Sequence, residues 1–431
     1  MTHTPRSPNE TPARGAPWPG LRRHAFAVLL PLVGALPTLD AQQAPPVTLT
    51  LADAVRLAST TAPAGQAAAG RRAETVGRAR AEAQWANPTL ELRRENQGAP
   101  IPYDDFATVT LPFDLTGRRF ALRSALGASR ERARADSVHA MRTAEFAVAR
   151  AWWESWASRT IARIAVEQSA LYDRVARIDS LRATEGEISE AQAFRMQIEA
   201  QRVRHAAGQA IAADAHMRAS LAALVGQDDP ARIAVADALP ALEAVPAVDD
   251  ALIAAGRDRP DLAAARAMER AADRRAAAEV RGTLPDVGLS GGYKGTGGYS
   301  TTTIGVILTA PLLNLNGGNR ERSAGELLMA SADRRAVELR VGTEVRAAIE
   351  AAHALDDGTR GFDTAFVDRA TVVAAAAEAS YREGAASLVE LLDAFRAAAD
   401  ARAAFVRGTL DRAIARLELR RAIGAPAVEV P

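Results

Sequence analysis

Few of the side chains that usually perform chemistry occur in an arrangement that would support catalysis. The chain has no cysteine, which excludes disulfides, thiolate nucleophiles and iron–sulfur clusters. His205 and His216 are eleven residues apart on a predicted helix, so they share a face but lie ~16 Å apart and cannot hold one metal ion. The glycine-rich stretch from Gly291 to Gly298 lacks the spacing of a phosphate loop. The sequence therefore predicts no enzymatic activity, no cofactor and no metal site.

Two carboxylates, Glu390 and Asp393, are candidates for a functional charge cluster. Their i, i+3 spacing places them on one face of a helix. If three copies of the chain met around an axis, each position would become a ring of three carboxylates. Such rings would raise the pKa values of their own members and attract cations. The alternative is a solvated helix face, the usual situation of two exposed acids. The spacing alone leaves both interpretations open.

Composition favours an elongated helical protein over a compact enzyme. The 431 residues include 53 basic and 52 acidic side chains, and this balance argues against nucleic-acid binding. Apolar residues make up 48 % of the chain, but much of this is alanine, and aromatic residues make up only 5 %. Such a chain forms long helices and has few bulky groups for a thick core.

The first 41 residues have the features of a signal peptide. Arg22, Arg23 and His24 precede the apolar run 25–36, and cleavage is expected after Ala41. The apolar run is too short to span a bilayer of ~30 Å as a helix. The sequence therefore predicts export, without lipidation because there is no cysteine, and no later segment is apolar enough for a transmembrane helix.

The remainder of the chain contains an internal repeat. Asp53 matches Asp250 and Pro88 matches Pro285 at an offset of 197 residues, and Gly186 matches Gly384 at 198. The predicted organisation is a first repeat over 42–226, a proline-containing linker over 227–248, a second repeat over 249–424 and a tail over 425–431.

Each repeat has the pattern helix, strand, strand, long helical hairpin. The strand segments show apolar/polar alternation, and they lie at about 89–96, 106–113, 287–294 and 302–313. The helical runs that follow are over 70 residues long, so each reaches about 110 Å, and they turn near Gly186 and Gly384. Four strands cannot close a membrane barrel, which needs ~8 or more, whereas three chains would supply twelve. The sequence therefore favours a homotrimer.

With these features, the chain resembles the TolC-like outer-membrane efflux protein family over essentially the whole mature sequence. The resemblance is carried by the second tip, Tyr381 to Asp393, and by the run from Leu419 to Gly424. The opening LTLADAVRLA, Asn87-Pro88 and the strand-to-helix turns 111–119 and 310–320 are also similar to the family. The turn ending Gly117-Arg118-Arg119 is similar to the heavy-metal, CzcC-like branch.

The resemblance implies a fold that combines an α-helical coiled coil with a transmembrane β-barrel. Three chains would form a twelve-stranded barrel in outer-membrane lipid and an α-helical tunnel through the periplasm. The implied function is a passive export duct for small molecules or metal ions in a tripartite efflux system. Its implied partners are a periplasmic adaptor protein and an inner-membrane transporter, proton-driven in the efflux interpretation. Nucleic acid is not among them.

The resemblance also implies roles for residues at the two helical tips. Glu390 and Asp393 match acidic rings at the periplasmic entrance, and Tyr381 matches a tyrosine that holds the closed entrance by hydrogen bonding. The alternative for Tyr381 is an aromatic cover for the turn. Residues at both tips are expected to meet the adaptor's own hairpins, with plain solvent exposure as the alternative: Glu185, Gly186, Glu187, Arg382, Glu383 and Gly384.

Two rival functions stay open at the level of sequence. The same scaffold serves as the outer-membrane component of type I polypeptide secretion. A protein of another class, a soluble periplasmic coiled-coil scaffold, would use the four strands as a capping sheet with open edges.

Overall fold

The computed structural model describes residues 47–428, apart from 62, 97 and 99–102. The expected signal peptide, 1–41, and the last three residues of the tail lie outside the described residues. Among the helices of the described part, none is long and apolar enough to cross a membrane.

The two halves of the chain have nearly the same order of elements. The first half consists of β1 (Val47–Leu49), α1 (Leu51–Thr61), α2 (Pro63–Glu82), β2 (Thr89–Glu95), β3 (Asp104–Phe113), α3 (Arg118–Thr184) and α4 (Glu190–Val225). The second consists of a 3-10 turn (Pro230–Arg232), β4 (Ile233–Val235), α5 (Val248–Asp258), α6 (Pro260–Arg281), β5 (Asp286–Thr296), β6 (Tyr299–Thr309), α7 (Gly317–Gly358), α8 (Thr364–Arg382) and α9 (Leu388–Ile423).

Four of the strands form one antiparallel sheet in the order β2-β3-β5-β6. Each half contributes two adjacent strands, and the central β3–β5 pair joins the halves over ten residues, from Asp104↔Thr296 to Phe113↔Val287. Because paired residues in a ladder share a face, the register assigns every side chain of the sheet to one of two faces.

The two faces differ sharply in polarity. One face carries Leu90, Leu92, Val109, Leu111, Leu289, Tyr293, Ile304, Val306 and Leu308. The other carries Thr89, Glu91, Arg93, Thr108, Thr110, Ser290, Lys294, Thr301 and Thr303. On the apolar face Leu92 is 73 % exposed and Ile304 is 83 % exposed. The apolar face has polar exceptions near its hairpin end: the Arg94–Asp105 ion pair, at 2.6 Å, Ser300 and Thr302. The polar face has four apolar or aromatic exceptions: Phe106, Pro112, Tyr299 and Ile307.

A second, parallel sheet of two short strands forms where the halves meet. β1 pairs with β4, from Val47↔Ile233 to Leu49↔Val235. The sequence indicated only a linker at 227–248, because a three-residue strand is too short to give an alternation signal. Below this sheet lies the main core, in which Trp152 and Trp153 pack edge to face at 5.3 Å and the Trp152 indole N–H donates to the Leu49 carbonyl at 2.9 Å.

The two long helical runs are not alike. In the first half, α3 continues for 67 residues without interruption. In the second half, the corresponding run ends at Gly358 and resumes at Thr364. Gly361 has a φ of 86°, which an L residue rarely adopts, and the Asp363 carboxylate accepts the Phe366 N–H at 2.8 Å to cap α8. The expectation of one continuous helix before Gly384 was therefore wrong, and the glycines and the cap are the physical reason.

Candidate functional site

The two helical hairpins meet near their tips through a buried polar contact. Tyr381, in the last turn of α8, is 4 % exposed. Its hydroxyl donates to Asp179 Oδ2 on α3 at 2.8 Å and accepts from the Gln192 side-chain amide on α4 at 3.2 Å. The surrounding residues are apolar and include Met196 and Leu391. One side chain of the second half is thus bound to both helices of the first hairpin.

Burial changes the pKa values of the two ionisable groups in this contact, Asp179 and Tyr381. Desolvation raises the pKa of the Asp179 carboxyl above its ordinary value, although the bond from Tyr381 and the nearby Arg182 charge act in the opposite direction. Desolvation, helped by the neighbouring Asp179, raises the pKa of Tyr381 to about 12. The tyrosine is therefore a neutral donor at any physiological pH, and the second Asp179 oxygen, Oδ1, is buried without a hydrogen-bond partner.

The two acids predicted as a charge cluster have different surroundings in the structure. Glu390 forms a capping box at the start of α9: its carboxylate accepts the Ser387 N–H at 2.8 Å, and the Ser387 hydroxyl accepts the Glu390 N–H at 3.2 Å. Asp393, one turn later, is exposed. Both therefore lie beside the second tip, and Glu390 has a local structural task in addition to any role in a ring.

The six predicted tip residues are all exposed at the ends of the hairpins. Gly186 and Gly384 both have a φ of 79°, the left-handed conformation that favours glycine. Arg182 pairs with Glu187 at 3.0 Å across the first turn, and Arg382 pairs with Glu378 in the preceding turn of α8. The tips are short, and they present glycine backbone flanked by charged side chains.

Sequence reasoning missed Asp179. The 3–4 spacing in α3 predicts a seam of six residues, five of them apolar: Ile161, Ile164, Gln168, Leu171, Val175 and Ile178. The buried face near the tip is instead Tyr172, Val175, Ala176 and Asp179. The available signal was an acid seven residues after Tyr172, in line with the buried stripe. A buried carboxylate without a partner is destabilising, so its position predicts a hydrogen-bond partner.

A second polar feature is a concave surface of about 590 Å³ just below the four-stranded sheet. α2 packs on α3, α3 on α6 and α6 on α7, and all four helices contribute to its lining. Most of the lining is charged: Glu74, Arg78, Glu82, Arg118, Arg132, Arg275, Glu279, Arg322 and Glu326. Opposite charges are paired, for example Arg275 with Glu82 at 2.9 Å and Arg118 with Glu279 at 3.1 Å. The surface is strongly hydrophilic but nearly neutral.

A known protein family is similar to most of the second half of the chain. The family model for outer membrane efflux proteins matches residues 253–425, from α5 to the end of α9. The predicted resemblance to TolC-like efflux proteins is thereby confirmed, and this family consists of transport ducts.

Solved structures of bacterial outer membrane proteins, two of them channels, share the fold over most of the chain. The Campylobacter jejuni CmeC outer membrane channel is 15 % identical with a TM-score of 0.74, covering 87 % of this chain and 85 % of that one. The Vibrio cholerae outer membrane protein VceC is 19 % identical with a TM-score of 0.71, covering 88 % and 97 %. The open state of the Neisseria gonorrhoeae MtrE outer membrane channel is 17 % identical with a TM-score of 0.69, covering 88 % and 89 %. Among curated proteins, none matches the sequence.

Proposed function

We propose that the protein is a trimeric outer-membrane export duct of a tripartite efflux system. The observation that carries the proposal is the sheet: one face is apolar and exposed, and the other is polar. A water-soluble monomer would expose that apolar face to solvent at a high free-energy cost, whereas a membrane barrel places it against lipid.

The edges of the sheet favour three copies. Within the described residues, neither β2 nor β6 has a strand on its outer side, and open edges of this kind invite further pairing. β2 and β6 of one chain run in opposite directions, since the sheet has four antiparallel strands. The β6 of one copy can therefore continue the antiparallel pattern with the β2 of the next, and three copies give twelve strands.

The hydrophilic concave surface supports a water-filled passage. Its paired arginines and glutamates would interact weakly with any single solute because their charges are already balanced. A lumen of this kind is generic, so substrate choice belongs to the inner-membrane transporter. We take small molecules or metal ions as the substrate class, and assignment to the heavy-metal branch stays a prediction.

A pair of neighbouring substitutions tests the membrane proposal. Ile304→Arg places a charge on the apolar face, where it costs about 2–4 kcal/mol at mid-bilayer depth. The matched control Thr303→Arg places the same charge on the polar face. In cell fractionation with electrophoresis of unboiled samples, we expect the unmodified protein and the control to give a trimer band from the outer membrane, and Ile304→Arg to lose it. A soluble periplasmic monomer from the unmodified protein would refute the duct.

At the periplasmic end, we propose that Glu390 and Asp393 form the acidic rings and that Tyr381 holds the entrance closed. The tip segments around Gly186 and Gly384 would contact the adaptor. Because alanine at 390 would also remove the cap, the cleaner variant is Glu390→Gln with Asp393→Asn, which keeps a side-chain acceptor at 390. In planar bilayers it should weaken block by divalent cations, whereas the exposed control Asp400→Asn on the same helix should not. Unchanged block in the double variant would contradict the rings.

A further inference from the structure

A cavity lies beside the interruption between α7 and α8. It measures about 580 Å³ and lies between α9, the 359–363 break and the segment that follows β4. The chain leaves its helical path after Gly358, and Gly408 on α9 allows Thr359 to approach closely, since a Cβ at 408 would lie 3.0 Å from the Thr359 methyl group. The volume is in the range of small-molecule sites, about 300–1,000 Å³.

The walls of the cavity are largely aromatic and aliphatic. Trp153 forms the floor, Phe362 and Phe405 line the sides, and Leu239 and Leu242 come from the segment after β4. Phe362 remains 44 % exposed although it packs on Phe366 with ring centroids 5.0 Å apart. Such walls favour a planar or aliphatic apolar group.

The polar lining combines two arginines one turn apart on α9, Arg412 and Arg416, with other polar side chains: Glu243, Asp356, Thr359 and Thr409. Arg416 donates to Asp356 at 2.5 Å and to the Glu243 carbonyl at 2.8 Å, yet its Nη1 is buried with no acceptor. Arg412 forms no ion pair with any residue the structure describes, and its Nε is likewise buried without an acceptor. Buried donors without acceptors are costly, and charged donors more so.

The apolar walls and the unpaired arginine donors together indicate a class of ligand. We propose that this cavity binds an amphipathic organic anion, with its carboxylate or similar oxygen head between Arg412 and Arg416 and its apolar body against Phe362 and Phe405. The i, i+4 spacing puts both guanidinium groups on the same side of α9. Asp356 pairs with Arg416 and Glu243 pairs with Arg420, so Arg412 provides the uncompensated positive charge. The site is argued from its own lining and does not depend on the proposed export function.

Photolabelling with 4-benzoylbenzoate, an aromatic carboxylate, tests the proposal on the full-length protein in phosphatidylcholine nanodiscs. We expect saturable labelling that maps to peptides containing Phe362 and Phe405. Because a charge-assisted contact is lost, Arg412→Ala should weaken labelling by about tenfold or more. Removing Arg412 breaks no ion pair, so the variant should assemble normally, which unboiled electrophoresis verifies.

Two controls make the result decisive. Arg407→Ala removes an exposed arginine from the same helix outside the cavity and should leave labelling unchanged. Uncharged benzophenone should label the same peptides far less. The proposal would be overturned by diffuse labelling, or by no labelling because a neighbouring copy fills the cavity. It would also be overturned if Arg412→Ala or the uncharged reagent gave the same labelling as the unmodified protein with 4-benzoylbenzoate.

Discussion

At the scale of single residues, the contact of Tyr381 with Asp179 and Gln192 is the principal polar link between the two hairpins. It joins residues 202 positions apart in sequence, and it is enclosed by apolar side chains. In such surroundings a hydrogen bond is strong when made and its absence is costly.

Tyr381→Phe should loosen the tips. The ring packing is kept, but the buried Asp179 carboxylate loses its donor, which should cost about 1–3 kcal/mol. Faster amide hydrogen exchange in α8 and in the start of α9 would report the loss as local opening. Tyr299→Phe is the matched control because that side chain is 82 % exposed. Equal exchange in the two variants would show that the bond contributes little.

The raised pKa of Asp179 gives the tip contact a pH dependence. Since the folded state raises this pKa above the 3.8 of a free carboxyl, the folded state binds the proton more tightly than the unfolded state does. Ionised Asp179 therefore destabilises the folded state at neutral pH. Protection of the tip amides from hydrogen exchange should rise as the pH falls through the raised pKa of Asp179. Asp179→Asn should remove the dependence. Exchange corrected for intrinsic rates should show a slope with pH in the unmodified protein and a flat profile in the variant.

At the scale of elements, Gly424 fixes how α9 ends against the start of α6. It has a φ of 81°, and a Cβ there would lie 2.8 Å from the backbone N of Arg259. Arg259 itself is 7 % exposed and pairs with Asp261 and Glu344 at 2.7 and 2.5 Å, so this backbone cannot move aside easily.

Gly424→Ala should therefore be strongly destabilising, by about 2 kcal/mol or more from the left-handed conformation and the clash together. Gly208→Ala should have the opposite sign, a gain of about 0.5–1 kcal/mol, because Gly208 lies inside α4 with open space around it. Thermal loss of helical circular dichroism compares the two. A neutral Gly424→Ala would mean that the end of α9 adjusts more freely than its contacts indicate.

The elements that sequence reasoning identified are those with a strong local signal. The strand predicted at 89–96 is found at Thr89–Glu95, and the one at 287–294 at Asp286–Thr296, because alternation is set by the two environments of the sheet. The strand predicted at 302–313 ends earlier, at Thr309, before Pro311. β1 and β4 are held by each other and by the Trp152 contact, which no local pattern encodes.

The residues of the candidate site likewise divide into those with a local sequence signal and those without one. The left-handed glycines of the tips could be predicted from residue type, and Tyr381 from the family resemblance. Asp179 could not, because its partners lie on two other helices and its burial depends on the rotation of α3 by one residue. Long-range packing, not local sequence, determines which face of a long helix is buried.

At the scale of the whole molecule, the open edges β2 and β6 should pair between neighbouring copies. Since the chain has no cysteine, engineered pairs can report this directly. With Leu92→Cys on β2 and a second cysteine moved along β6 at 302, 304, 306 or 308, we expect one combination to give covalent trimers after oxidation and boiling without reductant.

A pair inside the sheet provides the control. Leu111→Cys with Leu289→Cys joins residues that face each other on β3 and β5 of the same chain, so oxidation should leave monomers after boiling. Covalent dimers without trimers at every β6 position would instead indicate a two-fold assembly and contradict the closed ring of twelve strands.

Lys294 forms an ion pair with Asp104, at 2.8 Å, on the polar face of the sheet, and its amine can be modified chemically. Lys294 is the only lysine in the chain, so it carries the only side-chain amine. Its side chain is 35 % exposed. In the proposed barrel, acylating reagents of increasing diameter, added outside intact cells, would modify Lys294 until they no longer fit. Peptide mapping would separate this product from acylation of the N-terminal amine, and the cut-off would measure the bore at the depth of β5 without any engineered substitution.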